Sequence, residues 1–275
     1  MGDELAATGN LGIRGYFGLF AEYFFQYVKM RVSHRGDFLI GILTSMAATI
    51  FALGFVFVLF SKVPHLAGWR FEEVLFLYGF SLMPYGLFNV LGVNLYEFGN
   101  EYIMEGKFDR VLIRPVASLF QVIFENFRIE SFQEVLTGLA VVIYASVKMH
   151  VAWNLLDVLL LIFFSICGGT IYISIFLLLS TVSFWFEDRI GVHPPAWNLI
   201  AFGRYPLSIY SAPIQFFLSW IIPFGFATFY PTVRLLHRAE FLRYAPLIPV
   251  VTVACLAIAI TAWNQGVRHY SSTGS

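Results

Sequence analysis

The sequence predicts an all-α polytopic membrane protein: six transmembrane helices, an amphipathic N-terminal interface helix, and a short charged cytoplasmic helix between the second and third spans. Three observations carry that prediction. Of 275 residues, 59% are hydrophobic and only 12% are charged, against roughly 25% charged in an average soluble domain. So little polar surface cannot cover so apolar an interior in water. Five stretches free of Asp, Glu, Lys and Arg come next: Phe38–Ser61 (24 residues), Val74–Tyr96 (23), Val158–Phe186 (29), Tyr205–Val233 (29) and Tyr244–Val267 (24). Each exceeds the ~20 apolar residues a helix needs to cross the hydrocarbon core. Finally, charge crowds the middle of the chain at one place, Glu97–Pro115, with apolar sequence on both sides.

In chain order, residues 1–13 are small and polar. Residues 14–36 read as a helix lying in the membrane interface. Phe17, Phe20, Phe24, Tyr27 and Val28 fall on one side and Glu22, Gln26, Lys29 and Arg31 on the other, the pattern of an aromatic face sunk among acyl chains. The first span, 38–60, ends at a short loop holding Lys62, Pro64, His65, Trp69 and Arg70. The second, 74–96, carries Pro84, Asn89 and Asn94. A freed carbonyl and buried amides need partners, which places this helix inside the bundle.

After the charged stretch 97–115, a third span over 119–147 joins the 13-residue apolar run Val135–Val147, too short alone, to a preceding half that carries Glu125, Arg128, Glu130 and Glu134. A tight turn at Lys148–Val151 leads into the fourth span, 153–186, where Gly168-Gly169-Thr170 permits close helix approach. Phe186-Glu187-Asp188-Arg189 marks its exit. The fifth, 207–230, is bracketed and interrupted by Pro206, Pro213, Pro223 and Pro231. Proline removes a helix hydrogen bond and clashes with the preceding turn. The expectation is therefore a span near 207–222 followed by a broken or re-entrant piece. The sixth span is 245–263, before a polar tail.

Basic residues orient the chain. With a cytoplasmic amino terminus, eleven Lys and Arg fall inside (Arg14, Lys29, Arg31, Arg35, Lys107, Arg110, Arg114, Arg128, Arg189, Arg204 and Arg268) and six outside, in the sense of the positive-inside bias. Both termini are then cytoplasmic. Trp69, Trp153, Trp185 and Trp263 fall at span ends, where an aromatic belt is expected. Net charge is zero, so no strong field argues for nucleic acid. Cys167 and Cys255 fall inside spans and read as small packing residues. The first apolar run follows Arg14, Lys29, Arg31 and Arg35 and is too long for a cleaved signal, so the spans themselves are expected to target the chain.

No nucleotide-binding G-x-x-x-x-G-K-[ST], H-E-x-x-H, C-x-x-C or G-x-S-x-G pattern occurs, and the six histidines are scattered singly. Neither catalysis nor a metal is expected of this chain. Five of the six spans carry no ionisable Asp, Glu, Lys or Arg, and those of the third sit toward its cytoplasmic end. Ion coupling usually needs such groups at depth, so the simpler reading places the power source outside the chain. Two functions fit: a permease driven by a separate ATPase, or a non-transporting membrane scaffold or assembly protein.

Within the charged stretch, Glu97, Glu101, Glu105 and Asp109 recur every four residues, Lys107, Arg110 and Arg114 follow, and Pro115 stops the run. Gly106 interrupts the helix and aims the remaining piece away from the span. These residues are the candidate contact with a cytoplasmic partner. Asn89, Arg128, Glu134, Tyr210 and Gln215 are the candidate gate or substrate path.

The order of interface helix, two spans, a charged E-x-x-x-E-G-K-x-D-x-x-L-x-R-P loop and four further spans resembles the type-2 ATP-binding-cassette (ABC) permeases, most closely the bacterial six-span exporter permeases. The likeness rests on Tyr27–Phe38 with Lys29, Arg31, Arg35 and Asp37, on Glu105–Pro115 (EGKFDRVLIRP), on Arg204–Tyr210 (RYPLSIY), and on Ile222-Pro223-Phe224 and Phe229-Tyr230-Pro231. It covers nearly the whole chain as one permease domain, 1–275. The resemblance implies a coupling helix after the second span and broken outer helices between the fifth and sixth. It also implies a dimer of permeases, homodimeric or paralogous, with two copies of a cytoplasmic ABC ATPase in a bacterial inner membrane. ATP and Mg2+ are then bound by the ATPase, and no cofactor by this chain. The substrate expected of such a cavity is amphipathic, lipid-like or drug-like.

Overall fold

The computed structural model describes residues 13–33, 35–186, 193–239 and 241–271. Most of the polar opening stretch 1–13 and the exit residues Glu187, Asp188 and Arg189 lie outside the described residues. Regular structure is helical. The elements are α1 (Ile13–Ser33), α2 (Arg35–Lys62), α3 (Phe71–Tyr96), α4 (Lys107–Leu112), α5 (Ser118–Phe124), α6 (Phe132–Lys148) and α7 (Leu155–Thr181). Then follow α8 (Ser183–Phe186), α9 (His193–Leu199), α10 (Ala212–Phe216), α11 (Phe224–Ala227), α12 (Phe229–Leu235) and α13 (Leu247–His269).

Among the described residues four helices are each long and apolar enough to cross a membrane: Gly36–Lys62, Phe71–Met104, Leu155–Phe186 and Leu247–His269. They overlie the first, second, fourth and sixth predicted spans. The bundle is organised around α3, whose most apolar stretch is 78% buried, against 11% for α2. Pro84 sits inside α3 without ending it, and the neighbouring helices come close enough to bury it. A Cβ on Gly138 of α6 would stand 2.5 Å from the Gly79 carbonyl oxygen of α3. One on Gly168 of α7 would stand 2.8 Å from Pro84 and 2.5 Å from the Ala227 carbonyl oxygen. Only glycine permits those approaches. At the start of α7 the Asn154 side chain accepts from the Asp157 N–H at 2.9 Å and the Asp157 carboxylate accepts from the Asn154 N–H, a reciprocal cap on two otherwise orphaned donors.

The third and fifth predicted spans are not continuous helices. Over 119–147, α5 stops at Phe124, and α6 has 17 residues, about 26 Å at 1.5 Å per residue, short of the ~30 Å hydrocarbon core. The gap is held by polar groups that leave the helix ladder for α3 and its extension: Asn126 Nδ2 donates to Asn94 Oδ1 at 3.1 Å, the Arg128 N–H to the Val90 carbonyl at 3.1 Å, and Tyr102 Oη to Glu125 Oε2 at 2.5 Å.

In the fifth, residues 207–209 are a 3-10 turn, and two short helical runs, Ala212–Ile221 and Phe224–Leu235, meet at 71° across Ile222-Pro223. No single straight helix occupies 207–222; the prolines leave a bent pair whose two arms together are long and apolar enough for one broken span or a re-entrant loop. Taking the end that carries 97–115 as lower, the chain instead climbs α3 earlier. His193 lies against Tyr96, Trp197 against Tyr96, Phe88 and Tyr85, and Arg204 over Tyr85 and Tyr78.

Helix α1 packs along 120–127 through edge-on aromatic pairs, Tyr16–Phe120 at 5.0 Å, Phe20–Phe124 at 5.3 Å and Tyr27–Phe127 at 5.8 Å. The predicted aromatic face is therefore divided. Phe20 and Tyr27 face protein, and Phe17 is exposed.

Candidate functional site

Two features stand out, and α3 connects them. Below Tyr96 the backbone widens into a π-helical stretch, Phe98–Met104, and the four-residue repeat of acids therefore does not form one straight α-helical face. Gly106 then takes φ 71°, the left-handed region, which glycine enters without a Cβ clash, and α4 leaves in a new direction. Its inner side is anchored by Phe108, fully buried with ring centroids 5.7 Å from Phe98, 5.3 Å from Phe184, 5.9 Å from Trp263 and 5.0 Å from Tyr270. Polar bonds tie the rim. Tyr270 Oη donates to Asp109 Oδ1 at 3.0 Å, Trp263 Nε1 to Ser118 Oγ at 3.2 Å, and Gln121 Nε2 to the Val111 and Val116 carbonyls.

The predicted contact residues divide between inside and outside. Lys107 Nζ lies 2.6 Å from Glu101 Oε2 and 3.9 Å from Glu105, so this cation is engaged within the chain. Glu97 is half-buried beside the π-helical stretch. Arg110, Arg114 and Pro115 are exposed, with Ile113 82% exposed between them. Among the described residues no carboxylate lies within 4.0 Å of either arginine. The outward surface is thus a small basic and apolar knob on a rigid aromatic base.

The second feature is a polar cavity among α2, α3, α6 and the 197–204 segment. Its upper part, ≈ 430 Å³, is walled by Ser45, Thr49, Tyr85, Asn89, Glu134 and Arg204. A lower part of ≈ 840 Å³ reaches Glu97 and Glu101, and Gly41, Asn89, Arg128, Glu130 and Trp197 belong to both walls. Buried Glu134 accepts from Asn89 Nδ2 at 2.8 Å and Ser45 Oγ at 3.0 Å, and Gln133 Nε2 donates onward to Ser45 Oγ at 2.7 Å. Arg204 lies over Tyr85 at 5.0 Å and Tyr78 at 5.8 Å, as a cation over ring faces does.

Tyr78 and Tyr85 come seven and fourteen residues after Phe71, about 10 and 21 Å along a helix of about 39 Å. The guanidinium therefore sits at mid-span. This corrects the placement of Arg204 in a cytoplasmic loop and the expectation that ionisable groups stay near one end. Without Arg204 the inside tally of eleven falls to ten, still above six.

Of the predicted path, Asn89, Arg128 and Glu134 line this cavity. Tyr210 and Gln215 do not; Gln215 Nε2 donates to the Tyr210 carbonyl at 2.8 Å, and Tyr210 Oη to the Phe202 carbonyl at 3.2 Å, in the segment leading to the bent pair.

The family model described as ABC-2 family transporter protein matches residues 43–274. The chain belongs to this family. No curated protein and no solved structure matches it. An ABC-2 permease is the membrane subunit of an ABC transporter, without an ATPase domain of its own, and works with a cytoplasmic ABC ATPase. In this permease Arg204 was the mid-span charge that reading charge-free runs concealed, because it was counted as a boundary. The signal was present: residues 190–203 before it carry no Asp, Glu, Lys or Arg either, so an apolar run continues across the single arginine.

Proposed function

We propose that this ABC-2 permease exports an amphipathic, lipid-like or drug-like substrate by alternating access. Two permeases, identical or paralogous, stand over two copies of the cytoplasmic ATPase in a bacterial inner membrane, with both termini cytoplasmic. ATP and Mg2+ reside on the ATPase. The observation that supports this best is the knob itself. Arg110 on α4 and Ile113 and Arg114 just after it project outward, while Phe108, on the same short helix as Arg110, is locked into Phe98, Phe184 and Trp263. A push on the exposed face is delivered to α3, α8 and α13 together, because close-packed aromatics have little room to absorb displacement. The cavity beside α3 then changes shape with its lower end.

The test is affinity purification of the chain in mild detergent with mass spectrometry of what accompanies it, repeated for Glu105→Arg and Arg110→Glu. Stoichiometric ATPase with the native chain, and at least tenfold less ATPase stimulation with either variant at unchanged membrane insertion, is the expected outcome. Charge-reversed variants that still capture and stimulate the ATPase normally would refute the coupling role of α4.

A further inference from the structure

The cavity at mid-span contains more than an export path requires. Two basic and two acidic side chains wall its upper part. Arg128 and Glu130 lie 3.9 Å from one another. Arg204 and Glu134 stand apart: among the described residues no acidic group lies within 4.0 Å of Arg204, and no basic group within 4.0 Å of Glu134. Charges at this depth are expensive and ordinarily pair with one another. Arg204 is instead held by ring faces on one side, which leaves its remaining donors toward the cavity that it walls. Glu134 has one neutral donor on each oxygen. Beside it, the Asn89 side-chain oxygen is buried and has no hydrogen-bond partner, on a residue only 5% exposed. An unsatisfied buried acceptor is uncommon and calls for an explanation. On one wall, then, stands a guanidinium with no acidic group in contact, and on another a carboxyl group and an amide oxygen lacking a donor.

We propose that the ≈ 430 Å³ cavity binds the zwitterionic headgroup of an amphiphile, its phosphate on Arg204 and its ammonium on Glu134 and the Asn89 oxygen. A purely anionic headgroup would bring a second negative charge beside Glu134, and a purely cationic one would leave Arg204 unmatched, so the arrangement selects for both charges in one ligand. The apolar part leaves past α2. Ser45 and Thr49 of α2 form that wall, while Leu43, Met46 and Ile50 on the same helix are exposed and provide a lipid-compatible exit. The inference deepens the export reading by naming the substrate chemistry, but the binding itself is a property of this chain.

Native mass spectrometry of the full chain, stripped of lipid and titrated with phosphatidylethanolamine or phosphatidylglycerol, reads the site directly. The expected result is one phosphatidylethanolamine per chain, bound at least tenfold more tightly than phosphatidylglycerol. That preference should be lost in Arg204→Gln and in Asn89→Leu, and largely kept in Arg204→Lys. Thr49→Trp fills the cavity without altering an ionisable group and should also abolish binding, which covers the case in which the Arg204 variant fails to fold. Displacement by soluble phosphoethanolamine would assign recognition to the headgroup alone; resistance to it would assign recognition to the whole lipid. Equal binding of the two lipids by the native chain, or binding unchanged in Thr49→Trp, overturns the proposal. Because no ATPase is needed for this measurement, its failure is separable from failure of the permease–ATPase contact.

Discussion

At the scale of single residues, the coupling segment depends on a few side chains that no charge pattern reveals. Phe108 is one. Its ring is fully buried among four other aromatic rings, and truncation of a buried Phe costs about 3–5 kcal/mol through lost burial and the cavity left behind. Phe108→Ala should therefore lower the thermal unfolding midpoint in detergent and uncouple ATP hydrolysis from the permease, whereas Phe108→Leu should restore most of both.

Tyr270 adds a hydrogen bond to its ring contact with Phe108. Burial and the bond to Asp109 push its hydroxyl up to about 12 from the ordinary 10.0. A raised folded value means the neutral, donating form is favoured in the folded chain. That stabilisation is complete below pH 10 and is lost as pH rises through about 12. Tyr270→Phe should accordingly weaken ATPase stimulation at neutral pH, where the native bond is intact, and reduce the alkaline loss of stability near pH 11. An alkaline unfolding curve identical in both proteins would show that the bond contributes nothing.

At the scale of elements, legibility followed the chemistry that limits each helix. Charge-free runs located α2, α3, α7 and α13 because a continuous apolar helix needs only length and composition. The third and fifth stretches departed for opposite reasons. Around Glu125, Asn126 and Arg128 the polar groups found partners on α3 and its extension and broke the helix. Such tertiary partners are invisible in a local pattern. Around Pro206–Pro231 the break was legible but its position was not, since prolines forbid a straight helix without saying where the chain crosses.

Gly106 was read correctly as an interruption, and its reason is now specific: φ 71°. Residues with a Cβ lose about 1–2 kcal/mol in that region. Gly106→Val should leave insertion intact while reducing ATPase stimulation severely, and Gly106→Asn should be the mildest non-glycine change, since Asn tolerates positive φ. Equal activity for Val, Asn and Gly would mean that the direction of α4 does not matter.

At the scale of the whole molecule, the family could be read from the order of motifs, whereas the cavity could not. Ser45, Asn89, Glu134 and Arg204 come from four separate segments, and their meeting depends on α3 being enclosed by α6, α7 and 193–204, which no spacing along the chain encodes. The fold also makes a topological claim that can be checked without any ligand. The upper end is closed by Arg238, 2.9 Å from Glu73 and 4.2 Å over the Trp69 ring, and the lower end by the Phe108 cluster. Ile113, at the C-terminal end of α4, and His65, in the loop after α2, are both exposed. They belong to opposite ends of α3, a helix long enough to cross the hydrocarbon core. In a background with Cys167 and Cys255 replaced, Ile113→Cys should react with a membrane-impermeant maleimide in inside-out vesicles and His65→Cys in intact cells. Each should be protected in the other preparation. Labelling of both from the same side would break the connection between the knob and the cavity, because α3 could not then carry motion from a cytoplasmic ATPase through the membrane.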